Sequence, residues 1–266
     1  MMHVLKAAAI AFSMYSKIPM PQFEWREKDL RYMLCFFPLV GVAIGACEFL
    51  WLWLCDVYHA GNIFRTAVFC VIPVLITGGI HADGFMDVAD ALSSHKSREK
   101  KLEILKDPHI GAFAVIMFAV LAALFAGAFS QTSNGAAIYV VIIGFVFSRA
   151  LSGFGAVTFK KARRDGTLYT FADAAKASDG ESKPGRAPSV RLILFSECIA
   201  CALLMIAVSP VYGSVAAAAA FLTVVYYYFK TKKEFGGITG DTAGYFLCIC
   251  ECAIVVTVSA AGMILK

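Results

Sequence analysis

Charge is scarce in this chain. Only 16% of its 266 residues are Asp, Glu, Lys or Arg, against about 25% in a typical soluble domain. The hydrophobic share is 59% and the mean hydropathy is +0.72. That balance excludes an ordinary soluble globular domain and indicates a polytopic membrane protein. A secretory leader pattern is also missing. Residues 1–16 are mildly amphipathic, with no small-residue cleavage site after a clear apolar core, so no signal peptide is expected. Redox chemistry has little support. Most of the nine cysteines sit inside apolar runs, and the Cys198–Cys201 pair, spaced like a redox motif, lies among Ile, Ala and Leu. They read as small hydrophobes. No second copy of any Asp-rich stretch occurs in the second half, which weighs against a transporter built from internal repeats.

What is present is a series of apolar runs near 34–56, 64–80, 111–130, 136–156, 192–210, 214–229 and 244–265. A bilayer core takes about 20 apolar residues per helix, so seven spans are expected. The sixth is short, and the break at Pro210 and Gly213 leaves open a single interrupted fifth–sixth element. Residues 3–16 are too short for an eighth span. Lys17-Ile18-Pro19-Met20-Pro21 marks a turn or a surface-lying segment. Every Lys and Arg except Arg65, Arg149 and Lys266 falls in segments 1–33, 81–110, 157–191 and 230–243. The connections 57–63, 131–135 and 211–213 have none. With seven spans the four basic segments share one side, cytoplasmic by the positive-inside rule, with the N-terminus inside. The fold expected is all-α: one membrane-embedded domain over 1–266, its active site at the cytoplasmic face.

The stretch from Gly78 to Asp90 carries Asp83, Asp87 and Asp90 at i, i+4 and i+7. On a helix these carboxylates share one face, where like charges repel. A divalent cation relieves the repulsion, and oxygen donors suit Mg²⁺ or Mn²⁺. The alternative is a solvated helix start with acids near the positive end of the dipole. His81 beside them reads as a general base, a ligand or an interfacial polar residue. Asp107, in Lys106-Asp107-Pro108-His109-Ile110-Gly111, reads as the N-cap of the third span, with Pro108 in its first turn, or as a further ligand. Lys160, Lys161, Arg163 and Arg164 crowd one loop and suit lipid headgroups or substrate phosphates. Arg149 lies within a span, which favours a functional or pairing role, and Glu48, Glu197 and Glu251 are intramembrane carboxylates of the same standing. The run Phe235-Gly236-Gly237-Ile238-Thr239-Gly240-Asp241 offers backbone N–H groups for phosphate, or close helix packing, with Asp241 a further candidate ligand. Gly41 and Gly45 read as a packing face.

Acidic ligands for a hard cation, basic residues and glycine turns together indicate phosphoryl or phosphodiester transfer at a membrane interface. The run from Gly78 to Leu92 resembles the signature of the cobalamin-5′-phosphate synthase family, the adenosylcobinamide-GDP ribazoletransferases. Ile18-Pro19-Met20-Pro21, Phe36-Phe37-Pro38-Leu39-Val40-Gly41, the stretch from Lys106 to Phe113 and that from Phe235 to Asp241 match in family order. Ala82 and Ile238 depart mildly, where larger apolar and polar residues are common. The resemblance implies that an α-ribazole hydroxyl attacks the cobinamide-side phosphate of adenosylcobinamide-GDP and expels GMP. The acceptor is α-ribazole or its 5′-phosphate. It also implies Mg²⁺ and the cytoplasmic (inner) membrane of a prokaryote. The residues expected to carry the chemistry are Asp83, Asp87 and Asp90 as metal ligands, with Asp107 and Asp241 completing or flanking them. His81, Asp83 and Asp87 are the catalytic candidates. Arg149, Lys160, Arg163, Arg164, Gly236, Gly237, Thr239 and Gly240 are expected at the substrate. The bilayer is a partner, nucleic acid is not, and a homo-oligomer is compatible with the sequence. A CDP-alcohol phosphotransferase pattern fails, because Gly84 is followed by Phe85-Met86-Asp87 where Ala-Arg would be needed.

Overall fold

A computed structural model describes residues 2–132, 135–179 and 189–265. Residues 180–188 of the basic segment 157–191 lie outside the described residues. In chain order come α1 (Met2–Tyr15), a short α2 (Glu27–Leu30) and a 3-10 turn (Met33–Phe36) that runs into α3 (Phe37–Val57). Then follow α4 (Asn62–Thr77), α5 (Ile80–Ser93), α6 (Arg98–Ile104), α7 (Ala112–Ser130) and α8 (Gly135–Thr158). The chain continues through α9 (Thr167–Asp179), α10 (Val190–Val208), α11 (Pro210–Glu234) and α12 (Gly240–Ile264).

Among the described residues, six helices are long and apolar enough to cross a membrane: α3 with its preceding turn, α7, α8, α10, α11 and α12. The chain is a multi-pass membrane helix bundle, as its composition requires. A seventh crossing depends on α4 and α5, which pass the same test only as a pair bent by 94°. The expected second span therefore ends at Thr77. Gly78 and Gly79 follow with φ of +66° and +81°, and the Gly78 N–H closes α4 on the Val74 carbonyl. Glycine takes this left-handed geometry without a Cβ clash, so the helix stops and turns there. α5 is neither long nor apolar enough to cross alone.

The sixth span is not short. α11 has 25 residues, starts at Pro210 behind a Ser209 cap, and ends only at Glu234. The expected polar segment 230–243 thus begins as helix. Lys232 and Lys233 occupy its last turn, where the helix dipole favours cations and long stems carry the charge past the apolar layer. α10 and α11 are separate helices that pack on each other.

α8 is the central helix: 72% of its apolar stretch is buried, against 11% for α7. Small residues allow this. A Cβ on Gly41 would lie 2.4 Å from the Phe145 carbonyl oxygen, so α3 and α8 meet backbone to backbone as the packing-face reading expects. The outward face of α7 exposes Phe113, Val115, Ile116, Met117, Val120 and Leu124, a surface suited to lipid.

Up-and-down connectivity sorts the loops. Asn62 Nδ2 donates to the Ser130 carbonyl at 3.1 Å and holds one end. At the other, the Lys17 N–H donates to the Ile76 carbonyl at 2.7 Å, Lys101 pairs with Glu234, and Arg98 donates to the Lys233 carbonyl at 3.4 Å. The described parts of all four basic segments meet at this second end.

Candidate active site

The site begins with a helix crossing. α5 packs along α12, and two glycines make the approach close. A Cβ on Gly84 would lie 2.8 Å from the Asp241 carbonyl oxygen and 2.9 Å from its Cα. A Cβ on Gly244 would lie 2.9 Å from the His81 carbonyl oxygen and 3.4 Å from the Gly84 Cα. No larger residue fits either position without separating the helices. The crossing sets Asp83 and Asp87 of α5 beside Asp241 at the start of α12, although more than 150 residues separate them in the chain.

The carboxylates then divide by their partners. Asp83 and Asp87 have no side-chain hydrogen bond or ion pair among the described residues. Burial, and then the charges of Asp83, Asp241 and Asp90, push the Asp87 carboxyl up to about 6. Asp90 is committed elsewhere: its oxygens accept from the Gly111 N–H at 2.6 Å and the Ala114 N–H at 2.8 Å. It therefore caps α7 from a distant part of the chain, satisfying donors that the helix leaves free. α7 starts at Ala112 with Gly111 as its N-cap, so neither Asp107 nor Pro108 belongs to its first turn. Asp107 instead accepts from the His109 N–H at 3.0 Å and lies 2.6 Å from its Nδ1, exposed at the surface. Those contacts hold its carboxyl below the usual range. Among the described residues no three His, Cys, Asp or Glu side chains converge into a coordination set.

The basic loop and the glycine turn are joined by a small parallel bridge. The Ile238 N–H donates to the Lys160 carbonyl at 2.9 Å, and the Ala162 N–H to the Ile238 carbonyl at 2.9 Å. Gly237 makes this possible, since a Cβ there would lie 2.4 Å from the Lys160 oxygen. Gly236 supplies the turn, with φ +78°. Thr239 caps α12: its Oγ1 accepts from the Thr242 N–H at 3.2 Å, and Thr242 Oγ1 accepts from the Thr239 N–H at 2.8 Å. The bridge carries Arg163 to 3.5 Å from Asp241. Lys160 and Arg164 remain exposed at the rim.

Two adjoining cavities open here. One is lined by Tyr15, Phe37, His81, Asp83 and Asp241, the other by Lys106, Lys161, Arg163 and Asp241; Thr167, Leu168 and Gly240 border both. His81 Nε2 is buried without a hydrogen-bond partner. Burial, followed by the charge of Arg149, holds its imidazole well below the usual range, so it stays neutral.

A family model described as cobalamin-5-phosphate synthase matches residues 7–259. The chain belongs to the cobalamin-5-phosphate synthase family. An adenosylcobinamide-GDP ribazoletransferase of Lachnoclostridium phytofermentans is 42% identical over 98% of this chain and 96% of its own. One from Clostridium perfringens strain 13 is 32% identical, covering 92% of this chain and 94% of its own. A third, from Geobacillus sp. strain WCH70, is 28% identical over 85% and 84%. No solved structure matches the chain.

In this cobalamin-5-phosphate synthase family member, Arg149 lines neither cavity. It is 1% exposed, donates to Glu251 Oε1 at 2.7 Å and to the Phe145 carbonyl at 2.7 Å, and Ser148 donates to the same carboxylate at 2.9 Å. Of the three intramembrane glutamates, Glu251 is thus the partner of Arg149, while both oxygens of Glu48 are buried without a partner. Sequence reasoning missed Tyr15, Lys106 and Thr167 as lining residues. Lys106 opens the run Lys106-Asp107-Pro108-His109, and its charge is the signal that could have found it. Tyr15 and Thr167 belong to helices that only tertiary packing carries to the site.

Proposed function

We propose that this chain transfers the cobinamide phosphate of adenosylcobinamide-GDP to α-ribazole, or to α-ribazole 5′-phosphate, releasing GMP. The observation that carries the reading is one end of the bundle where Asp83 and Asp241 line one cavity, Asp87 stands close enough to feel both charges, and the basic residues Arg163, Lys161 and Lys106 line the adjoining cavity on the other side of Asp241. The relatives that are adenosylcobinamide-GDP ribazoletransferases support the same reading.

The donor chemistry fits Mg²⁺. This cation takes one or two carboxylates and completes its shell with waters and substrate phosphates, which agrees with a site that has two free carboxylates and no closed cage. Mg²⁺ held by Asp83 and Asp87, with Asp241 flanking, would neutralise phosphate oxygens during transfer. Asp90 and Asp107 act from outside, one fixing α7 and the other its own turn.

In the step itself, an α-ribazole hydroxyl oxygen bonds to the cobinamide-side phosphorus, and the bond from that phosphorus to the oxygen of GMP breaks. The hydroxyl proton passes to one of the carboxylates at this crossing or to His81, which lines the same cavity and whose Nε2 has no hydrogen-bond partner. The phosphate of departing GMP faces Arg163, Lys161 and Lys106. The bridge between Lys160–Ala162 and Ile238 keeps these cations at the mouth of α12. The positive-inside rule favours the cytoplasm for this end, and the family resemblance supports the inner membrane.

The test is GMP release by protein solubilised in detergent. It should require both substrates, stop when EDTA removes divalent cations, and resume with Mg²⁺. Turnover of a CDP-alcohol in place of adenosylcobinamide-GDP would replace this reading with another phosphotransferase.

A further inference from the structure

The two cavities that meet at Asp241 divide the rings from the cations. The first carries three rings: Tyr15 and Phe37 with centroids 4.2 Å apart, and His81 at 6.3 Å from Tyr15 and 5.8 Å from Phe37. No Lys or Arg lines it, and its charged groups are Asp83 and Asp241. The second is lined by Lys106, Lys161 and Arg163 with Asp165 and the shared Asp241, Lys106 lying 3.3 Å from Asp165 and Arg163 3.5 Å from Asp241.

We infer that the aromatic cavity takes the flat, uncharged heteroaromatic base of the acceptor nucleoside, and that Tyr15 determines the specificity for it. The inference rests on the transfer reaction proposed above and assigns its two substrates to opposite sides of Asp241. No Lys or Arg reaches the first cavity, so a phosphate has only the proposed Mg²⁺ at its Asp83 and Asp241 edge to meet, while the other walls, among them Tyr15, Leu34, Phe37 and Leu247, offer it no cationic partner. An uncharged ring needs none and gains offset or edge contacts with the rings already there. The donor phosphates fall on the other side, where the three cations lie. The bond-making phosphorus is then at the border, beside Asp241, which belongs to both cavities. Among the rings, Phe37 is 3% exposed and packs into the bundle core, and His81 is one of the proposed proton acceptors. Tyr15 is half-buried, as His81 is, and is delivered by α1.

Michaelis constants measured for each substrate test the assignment. Tyr15→Leu should raise KM for α-ribazole roughly five- to tenfold and leave that for adenosylcobinamide-GDP within about twofold. Tyr15→Phe keeps the ring and should recover most of the loss. Should Tyr15→Leu fail to fold, Tyr15→Trp gives a second readout: its added fluorescence should respond to α-ribazole alone and not to GMP alone. A KM change confined to the donor, unchanged constants for both, or a response to GMP only would overturn the assignment. A wild-type protein that releases no GMP from these two substrates would instead sink the transfer reaction.

Discussion

Gly84 and Asp241 meet backbone to backbone: a Cβ on Gly84 would lie 2.8 Å from the Asp241 carbonyl oxygen. This contact sets how far the carboxylates of α5 stand from the carboxylate that opens α12. Gly84→Ala should cost about 1–3 kcal/mol through overpacking and lower GMP release by tenfold or more, because Asp241 moves with its backbone. Parallel thermal unfolding and turnover assays check this. Full activity with an unchanged midpoint would show that the crossing tolerates a methyl group.

The partners of the aspartates predict different failures. Asp83→Asn and Asp87→Asn should abolish turnover and leave membrane insertion intact, since neither side chain holds the fold together. Asp90→Ala should first lower stability, by about 1–3 kcal/mol, as the Gly111 and Ala114 N–H groups lose their acceptor. Near-normal GMP release by Asp83→Asn would contradict the role given to that carboxylate. An Asp90→Ala protein as stable as wild type would show that the cap is dispensable.

Burial and the neighbouring carboxylates raise the folded pKa of Asp87 to about 6 from the ordinary 3.8. Its contribution to stability is therefore fully present below about pH 4 and is lost as the pH rises through about 6. In divalent-free buffer, Asp87→Asn should remove that loss and raise the unfolding midpoint at pH 8 relative to wild type, with little difference at pH 4. The midpoints of the two proteins at the two pH values decide it; equal gaps at both would remove the electrostatic account.

Arg149 and Glu251 form an ion pair in the bundle interior. Removing one partner strands a charge, so Arg149→Met should destabilise by about 3–5 kcal/mol, and the double variant with Glu251→Leu should recover most of it. Thermal unfolding of the two singles and the double, treated as a cycle, measures the coupling. Additive losses would mean that the side chains act independently.

The sequence by itself determined the membrane class, because too little charge is present to solvate a surface. It determined the sorting of the basic segments and the three-aspartate face of α5, since helical periodicity is a local property. It could not decide which aspartates are free. Asp90 is bound by the N–H groups of Gly111 and Ala114, and nothing at position 90 announces donors more than 20 residues away. Nor could it tell glycines that serve packing from glycines that serve phosphate. Gly84, Gly237 and Gly244 are required by a backbone that passes close to them, and that backbone comes from another part of the chain. The length of the sixth span was misread for a related reason: lysines at a helix end look like a loop until the helix is seen to extend past the apolar layer. Chemistry that depends on one residue and its near neighbours was legible in the chain. The division of the site into a half with the rings and a half with the cations was decided by tertiary structure, because α1, α5, α9, α12 and the bridge at Ile238 meet only when the bundle closes.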